Sequence, residues 1–336
     1  MKQRLLDAVR CMRGKRILVV GDMVADVYLY GVISRISREA PVLVLEEAEE
    51  RIVAGGAANV AHNAATLGGR VTALGVLGDD KIGRGLAALL DAKGVQTDGL
   101  VFDEARPTVT KTRVIAGGAA TVSQQVVRID REPKEPLAPE TEARLVARLE
   151  ALLPEADGVA LSDYGSGALT PRVAQAIFSH CRARGVPTIV DSRYHIASFA
   201  GADYVKQNDA EIAATVGFAL DTPAQLEKAG RMLLGQMQAQ GVLVTRGGDG
   251  MVLFEANGAA DYIPVTDRSE VFDVSGAGDT CVAAMLLGLA AGVAPADAAR
   301  VSNFASGVAV RKFGTAAVTA EELAKAIGAD SDADSK

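Results

Sequence analysis

Five short, largely apolar runs constrain the fold of this chain more than any other feature: Ile17 to Val20, Val71 to Val76, Gly158 to Leu161, Thr188 to Val190 and Val242 to Val244. Each is continuous rather than alternating, as expected of a strand covered on both faces in a mostly parallel sheet. Helical patterns separate them, at Ala57 to Leu67, Ile82 to Lys93, Pro139 to Leu153, Pro171 to Arg184, Pro223 to Gln240 and Ala277 to Ala291. Strands alternating with helices build βαβ units, which predicts an α/β protein with a doubly wound sheet flanked by helices. Gly94, Gly185 and Gly241 follow helices where a left-handed C-cap is wanted.

Two stretches break the rhythm by alternating with period two. Val27 to Val32 and Val42 to Glu46 flank a turn-like Ser34 to Pro41, and Thr108 to Ile115 and Thr121 to Ile129 flank Ala116 to Ala119. Alternation marks strands with one wet face, either a small sheet standing off the main domain as a lid or an antiparallel edge of the main sheet.

Lys and Arg total 35 against 42 Asp and Glu in 336 residues, a net charge of −7 with no basic stripe, so nucleic acid is not the expected partner and a small ligand is. Cys11, Cys181 and Cys281 lie far apart, without zinc or disulfide spacing, and read as free thiols of a reducing cytoplasm. His62, His180 and His195 assemble no local metal motif, which leaves carboxylates and nucleotide phosphates as metal ligands. Acidic Asp7 interrupts the basic N-terminus, so no signal peptide is expected. The longest uncharged stretch, Thr280 to Ala296, falls short of the roughly 20 apolar residues a membrane span needs and reads as a buried helix.

The strongest chemical signal is Asp273-Val274-Ser275-Gly276-Ala277-Gly278-Asp279-Thr280, entering that helix. Small residues at a helix N-terminus let its free N–H groups and dipole bind anionic oxygen. Asp279 in the same first turn suits a base that deprotonates an attacking hydroxyl, or a carboxylate that merely complements the dipole. Ala54-Gly55-Gly56-Ala57-Ala58-Asn59 opens another helix with close backbone approach and an amide side chain. Gly21-Asp22-Met23-Val24-Ala25-Asp26 puts two carboxylates at the C-terminal end of the first strand, the edge where open α/β sheets bind ligands. The chain has no GxxxxGK[ST], no GxGxxG after its first strand and no GxSxG, which argues against P-loop, dinucleotide and serine-hydrolase chemistry.

Gly55-Gly56-Ala57-Ala58-Asn59, Asn208-Asp209-Ala210-Glu211, Val244-Thr245-Arg246-Gly247-Gly248-Asp249-Gly250 and Gly276-Ala277-Gly278-Asp279-Thr280, in that order, resemble the ribokinase-like (PfkB) carbohydrate kinases over about residues 15 to 327. Within that family, Arg35-Ile36-Ser37-Arg38-Glu39-Ala40-Pro41 and Thr108 to Arg113 resemble the bacterial heptose 7-phosphate kinases of lipopolysaccharide precursor synthesis. The resemblance implies one kinase domain over residues 1–327, with lid strands within about 24–48 and 106–130, and a disordered acidic tail at 328–336. It implies ATP with Mg²⁺, and K⁺ as a candidate activator. Asp279 is then the base, with the amides of Gly276, Ala277 and Gly278 holding developing phosphate charge. Asn208 and Glu211 match the Asn-x-x-Glu that places Mg²⁺ through water; Thr245, Gly247 and Gly250 lie against the nucleotide, and Asn303 beside adenine. Asp273 and Ser275 match a monovalent-cation site. Asp26, Gly55, Gly56 and Asn59 match sugar contacts, and Lys111 and Arg113 on the lid would meet a phosphate already on the sugar. Lid strands pairing between subunits imply a homodimer.

The chain departs from the heptose kinases at Asp191-Ser192-Arg193, where they carry Asp-Pro-Lys, and at Lys206-Gln207-Asn208, where they carry Thr-Pro-Asn. It ends without the His-x-Gly-His of the nucleotidyltransferase fused to many of them, which implies a kinase-only form. The expected acceptor is the anomeric hydroxyl of D-glycero-D-manno-heptose 7-phosphate; the alternatives are another ribokinase-like kinase for a free sugar or sugar acid, and a non-catalytic sugar- or nucleotide-binding regulator.

Overall fold

The computed structural model of the protein describes residues 1–118, 121–133, 135–266, 272–312 and 314–329. Along the chain they form α1 (Lys2–Met12), β1 (Arg16–Gly21), β2 (Met23–Ile36), β3 (Leu43–Gly56), α2 (Ala57–Thr66), β4 (Arg70–Gly78), α3 (Lys81–Ala92), β5 (Val95–Asp103), β6 (Val109–Gly118) and β7 (Thr121–Arg131). There follow α4 (Pro139–Leu152), β8 (Gly158–Asp163), α5 (Pro171–Arg184), β9 (Thr188–Ser192), β10 (Tyr204–Asn208), α6 (Asp209–Val216), α7 (Pro223–Met237), β11 (Gly241–Thr245), β12 (Met251–Glu255), β13 (Ala260–Ile263), α8 (Ala277–Ala290), α9 (Pro295–Ala309) and α10 (Ala320–Ala329).

The five apolar runs become β1, β4, β8, β9 and β11 of one nine-stranded sheet, ordered β13-β12-β11-β10-β9-β8-β1-β4-β5. Its pairings are parallel from β11 to β5, and β12 and β13 add an antiparallel edge. The continuous apolar character of β1 has a direct cause in strand geometry, which turns successive side chains to opposite faces. Ile17 and Val19 enter a core with α1, α2, α3, α8, α9 and α10, while Leu18 and Val20 enter a second core with α4, α5, α6 and α7.

The alternating stretches form a separate four-stranded sheet, ordered β3-β2-β6-β7, in which β2 and β6 run parallel. β2 starts two residues after β1 ends, so its root, Met23 to Tyr28, is buried in the core and its outer half is exposed. The turn expected at Ser34 to Pro41 is shorter than its polar composition suggests, because β2 continues through Ile36 against β3.

Three further expectations need correction. Gly241 is the first residue of β11 rather than a C-cap, and the left-handed end of α7 falls on Gln238 at φ 52°. The stretch Thr280 to Ala296 holds most of α8, a turn at Gly292 and the start of α9, since Gly292 takes φ 75° and Pro295 opens the next helix. The tail expected from residue 328 begins no earlier than 330, because Gly328 and Ala329 belong to α10; residues 330–336 lie outside the described residues.

From β1 the chain first builds β4 and β5 on one side, then crosses to β8 and the strands beyond it. The loops after β1 and β8 therefore diverge and leave a crevice at the carboxyl edge, the usual ligand position of such sheets. Asp22, 2% exposed, spans that crevice by accepting backbone N–H bonds from Tyr164 at 2.8 Å, Ser166 at 2.9 Å and Ala168 at 3.0 Å. Burial pushes its carboxyl pKa up, and the three amides oppose that shift. Asp22→Ala would orphan three donors, so equilibrium denaturation should show a loss of about 3 kcal/mol or more. A loss under about 1 kcal/mol would contradict the role given to Asp22.

Candidate active site

The N-terminus of α8 forms as its small residues predict. Gly276 is the N-cap, at φ 78°, and a Cβ there would stand 2.6 Å from the Asn59 amide nitrogen, so both conformation and space call for glycine. Asp279 lies one turn in and is 5% exposed. Its Oδ2 accepts from Asn59 Nδ2 at 2.7 Å, and its Oδ1 accepts from the Tyr164 hydroxyl at 2.9 Å. Both donors are neutral. Burial therefore dominates and raises the Asp279 pKa to about 6, with Asn59, Tyr164 and Lys206 restraining the rise and Asp191 adding to it.

The amide of Asn59 is itself fixed. Asn63, one turn along α2, donates to the Asn59 side-chain oxygen at 3.1 Å, and the Thr280 hydroxyl donates to the Asn63 side-chain oxygen at 2.9 Å. This closes a ring of bonds between α2 and α8 in which each asparagine amide has one orientation. Asn59, expected as a sugar contact, is fully buried and holds the carboxylate.

Two cavities meet at this point. A cleft of about 510 Å³ is lined by Thr245, Gly247, Gly250 and Asn303, together with Ala277 and Gly278. A smaller chamber of about 210 Å³ is lined by Asp191, Arg193, Glu211, Gly276, Gly278 and Asp279. Lys206, Asn208, Val274 and Gly278 border both. The helix amides at the boundary lack intrahelical partners, although that of Ala277 donates to the Val274 carbonyl at 3.3 Å. Asn303 donates to the Pro264 carbonyl at 2.7 Å, which fixes that wall of the cleft.

Lys206 is the strongest site residue that the sequence reading did not assign. It is 4% exposed, and its Nζ donates to Asp191 Oδ2 at 2.9 Å. A Cβ on Gly278 would stand 2.8 Å from that nitrogen, so the ammonium lies directly against the helix terminus. Burial works against the charge, yet Asp191 and then Glu211 outweigh it and raise the Lys206 pKa. The signal was present: a lysine inside an otherwise buried strand needs a partner, and register places Lys206 of β10 opposite Asp191 of β9. Tyr164 follows a strand end without a motif, while Arg193, noted in the sequence only as a departure from Asp-Pro-Lys, lines the smaller chamber.

Asn208 and Glu211 form a capping box at α6, each side chain bonded to the other's backbone N–H at 2.8 Å. Burial raises the Glu211 pKa, and Lys206 lowers it. Among the described residues no group of three or more His, Cys, Asp or Glu could hold a metal. These donors suit a divalent ion that takes its ligands from phosphate and water, with Glu211 reaching it through water. Asp273, the candidate monovalent-cation ligand, accepts from the Ser275 backbone at 2.8 Å and from the Gly314 backbone at 3.1 Å, tying that loop together.

The expected sugar contacts Asp26, Gly55 and Gly56 line neither cavity, lying instead where β2 and β3 are rooted. A Cβ on Gly55 would meet Asp26 Oδ2 at 2.7 Å. Arg113, expected to be available for phosphate, pairs with Asp26 at 2.6 Å, with both side chains largely buried.

This architecture occurs in solved sugar kinases. The Arabidopsis thaliana ribokinase complexed with ribose and ATP superposes with a TM-score of 0.71 over 94% of this chain and 99% of that one, at 21% identity. Phosphofructokinase-2 from Escherichia coli in complex with substrates and products gives 0.75 over 95% and 99%, also at 21% identity. The fold is ribokinase-like. The chain belongs to the pfkB family of carbohydrate kinases, whose model matches residues 15–322. It is 40% identical over 327 residues to the bifunctional protein HldE of Pelobacter propionicus and 41% identical over 325 residues to that of Caulobacter vibrioides. These alignments take in 97% and 96% of the chain but 66% and 65% of the relatives' length.

A carboxylate must be ionised to accept a proton, so kcat/KM should fall as pH drops below about 6. Tyr164→Phe removes a bond that favours the ionised form, so that acid limb should move to higher pH. An unchanged or lower limb in the variant's pH profile would contradict the assignment.

Proposed function

We propose that the protein transfers the γ-phosphoryl group of ATP to the anomeric hydroxyl of D-glycero-D-manno-heptose 7-phosphate, giving the 1,7-bisphosphate. One observation carries this reading: a buried carboxylate with a pKa near neutrality lies in the same helix turn as an anion-binding N-terminus, where a nucleotide-sized cleft meets a small polar chamber. Resemblance to the heptose 7-phosphate kinases and similarity to the HldE proteins support the acceptor.

In this reading Thr245, Gly247, Gly250 and Asn303 take the nucleotide in the large cleft. Asp279 keeps unused lone pairs on both oxygens and accepts the proton of the acceptor hydroxyl as that oxygen attacks phosphorus. The amides of Gly276, Ala277 and Gly278 and the Lys206 ammonium stabilise charge on the phosphoryl oxygens. Asn208 and Glu211 would hold the water shell of a Mg²⁺ ion, which when bound would neutralise nucleotide phosphate charge. Thr315, whose buried hydroxyl has no hydrogen-bond partner among the described residues, packs its methyl group and Cα near Gly276 and supports a K⁺ site with Asp273 and Ser275. The sugar occupies the smaller chamber beside Asp279, with Asp26, Gly55 and Gly56 rooting the small sheet that shields it from water and suppresses ATP hydrolysis.

Among the described residues no helix is long and apolar enough to cross a membrane, and a cytoplasmic site of action fits the free thiols. We also read the exposed Ile36 (66%) and Ile129 (57%) on the small sheet, with Val42 (56%) just before β3, as the contact of a homodimer. Ile36→Asp with Ile129→Asp should then halve the mass measured by light scattering; an unchanged mass would refute that interface.

A coupled ADP-release assay tests the reaction. Heptose 7-phosphate should stimulate ADP release, and Asp279→Asn should lower kcat about 10²- to 10⁴-fold with an unchanged circular dichroism spectrum. Free ribose or fructose outperforming every heptose phosphate would overturn the acceptor.

A further inference from the structure

The Asn59 amide can face Asp279 in two ways. With its Nδ2 toward Asp279 Oδ2, as it stands at 2.7 Å, it favours the ionised carboxylate; with its oxygen there it would favour the protonated acid. Nothing in Asn59 itself decides between them, because an amide carries a donor and an acceptor of nearly the same shape.

The decision falls to Asn63, which is fully buried and meets two backbone groups of fixed polarity. Its Nδ2 donates to the Asn59 carbonyl at 3.0 Å, and its Oδ1 accepts from the Val318 N–H at 3.4 Å. Turning the Asn63 amide round would set two oxygens against each other on one side and two N–H groups on the other, with no solvent to compensate. The Thr280 hydroxyl adds a second donor to Asn63 Oδ1 at 2.9 Å. That hydroxyl also stands 3.1 Å from the Gly276 carbonyl, but the carbonyl already accepts from the Thr280 backbone N–H at 3.0 Å. With Asn63 so fixed, its Nδ2 donates to the Asn59 side-chain oxygen at 3.1 Å, which leaves Asn59 Nδ2 for the carboxylate.

We propose that Asn63 is a positioning residue that fixes the Asn59 amide as a donor to Asp279, with the Thr280 hydroxyl and the Val318 N–H holding Asn63 in turn. This rests on the sugar-kinase reading above and adds a device to it. When the base takes the proton of the sugar hydroxyl, Asn59 cannot turn to accept it, so the protonated form is not trapped. The titratable and charged groups that face Asp279 are Lys206 of β10, Asp191 of β9 and Tyr164 after β8. Asn59, Asn63 and Thr280 carry no charge, so they act on the base through bond direction alone.

The test reads the Asp279 titration twice: by the carbon-13 resonance of its carboxyl carbon, assigned by its loss in Asp279→Asn, and by the acid limb of kcat/KM for heptose 7-phosphate. Asn63→Leu frees Asn59 to turn its oxygen to the protonated acid, so both readings should move up by about one pH unit. Thr280→Val removes one of the two donors that hold Asn63 and should give a smaller shift in the same direction, while Thr280→Ser should keep the wild-type value. In an Asn59→Ala background, where no amide remains to orient, Asn63→Leu should add nothing. A merely structural Asn63 would lower thermal stability and leave the titration in place. An unmoved titration in Asn63→Leu, or in Thr280→Val should Asn63→Leu fail to fold, refutes the proposal, as does an equal shift in the Asn59→Ala background. A resonance that shifts as expected without turnover of any sugar would uphold the role of Asn63 and sink the kinase reading; turnover with an unmoved resonance would do the reverse.

Discussion

The site depends on burying one carboxylate without an ion-pair partner. Asp279 receives its two hydrogen bonds from neutral donors, Asn59 and Tyr164, which suffice to keep it in place but not to keep its pKa at the ordinary value. A salt-bridged aspartate would be a poor base at neutral pH, and an exposed one would be misplaced by water. The arrangement obliges three elements to meet: α2, which carries Asn59; the loop after β8, which carries Tyr164; and α8 itself. Asp22 anchors that loop, so the geometry of the base is fixed from the crevice at the centre of the sheet.

Charge pairing divides the surroundings of Asp279 by role. Lys206 keeps its ammonium against the helix terminus because Asp191 compensates its burial. Arg113 is spent on Asp26, which fixes the root of the small sheet rather than leaving a cation for a ligand.

Much of this was legible in the residues. The runs at β1, β4, β8, β9 and β11 read correctly because parallel strands buried on both faces need continuous apolar sequence. β10 did not, since Lys206 and Gln207 interrupt it for the sake of the site, and β5 carries Gln96 and Asp98 near the sheet edge. Short α6 is set by its capping box rather than by an apolar stripe. Within the site, Asp279 and its glycines were marked by a helix-entry pattern, whereas Tyr164 acts through tertiary proximity that no local spacing encodes. Asn59 was singled out by its glycine-rich context, but its service to Asp279 depends on a contact across 220 residues.

The central claim is that Asp279 and the α8 terminus form one reaction centre between nucleotide and acceptor. A crystal structure with a non-hydrolysable ATP analogue and the acceptor sugar phosphate tests it most directly. The account predicts the γ-phosphate over Gly276 to Gly278 beside Lys206, with the acceptor hydroxyl hydrogen-bonded to Asp279. A γ-phosphate bound away from that terminus, or an acceptor hydroxyl out of reach of Asp279, would contradict it.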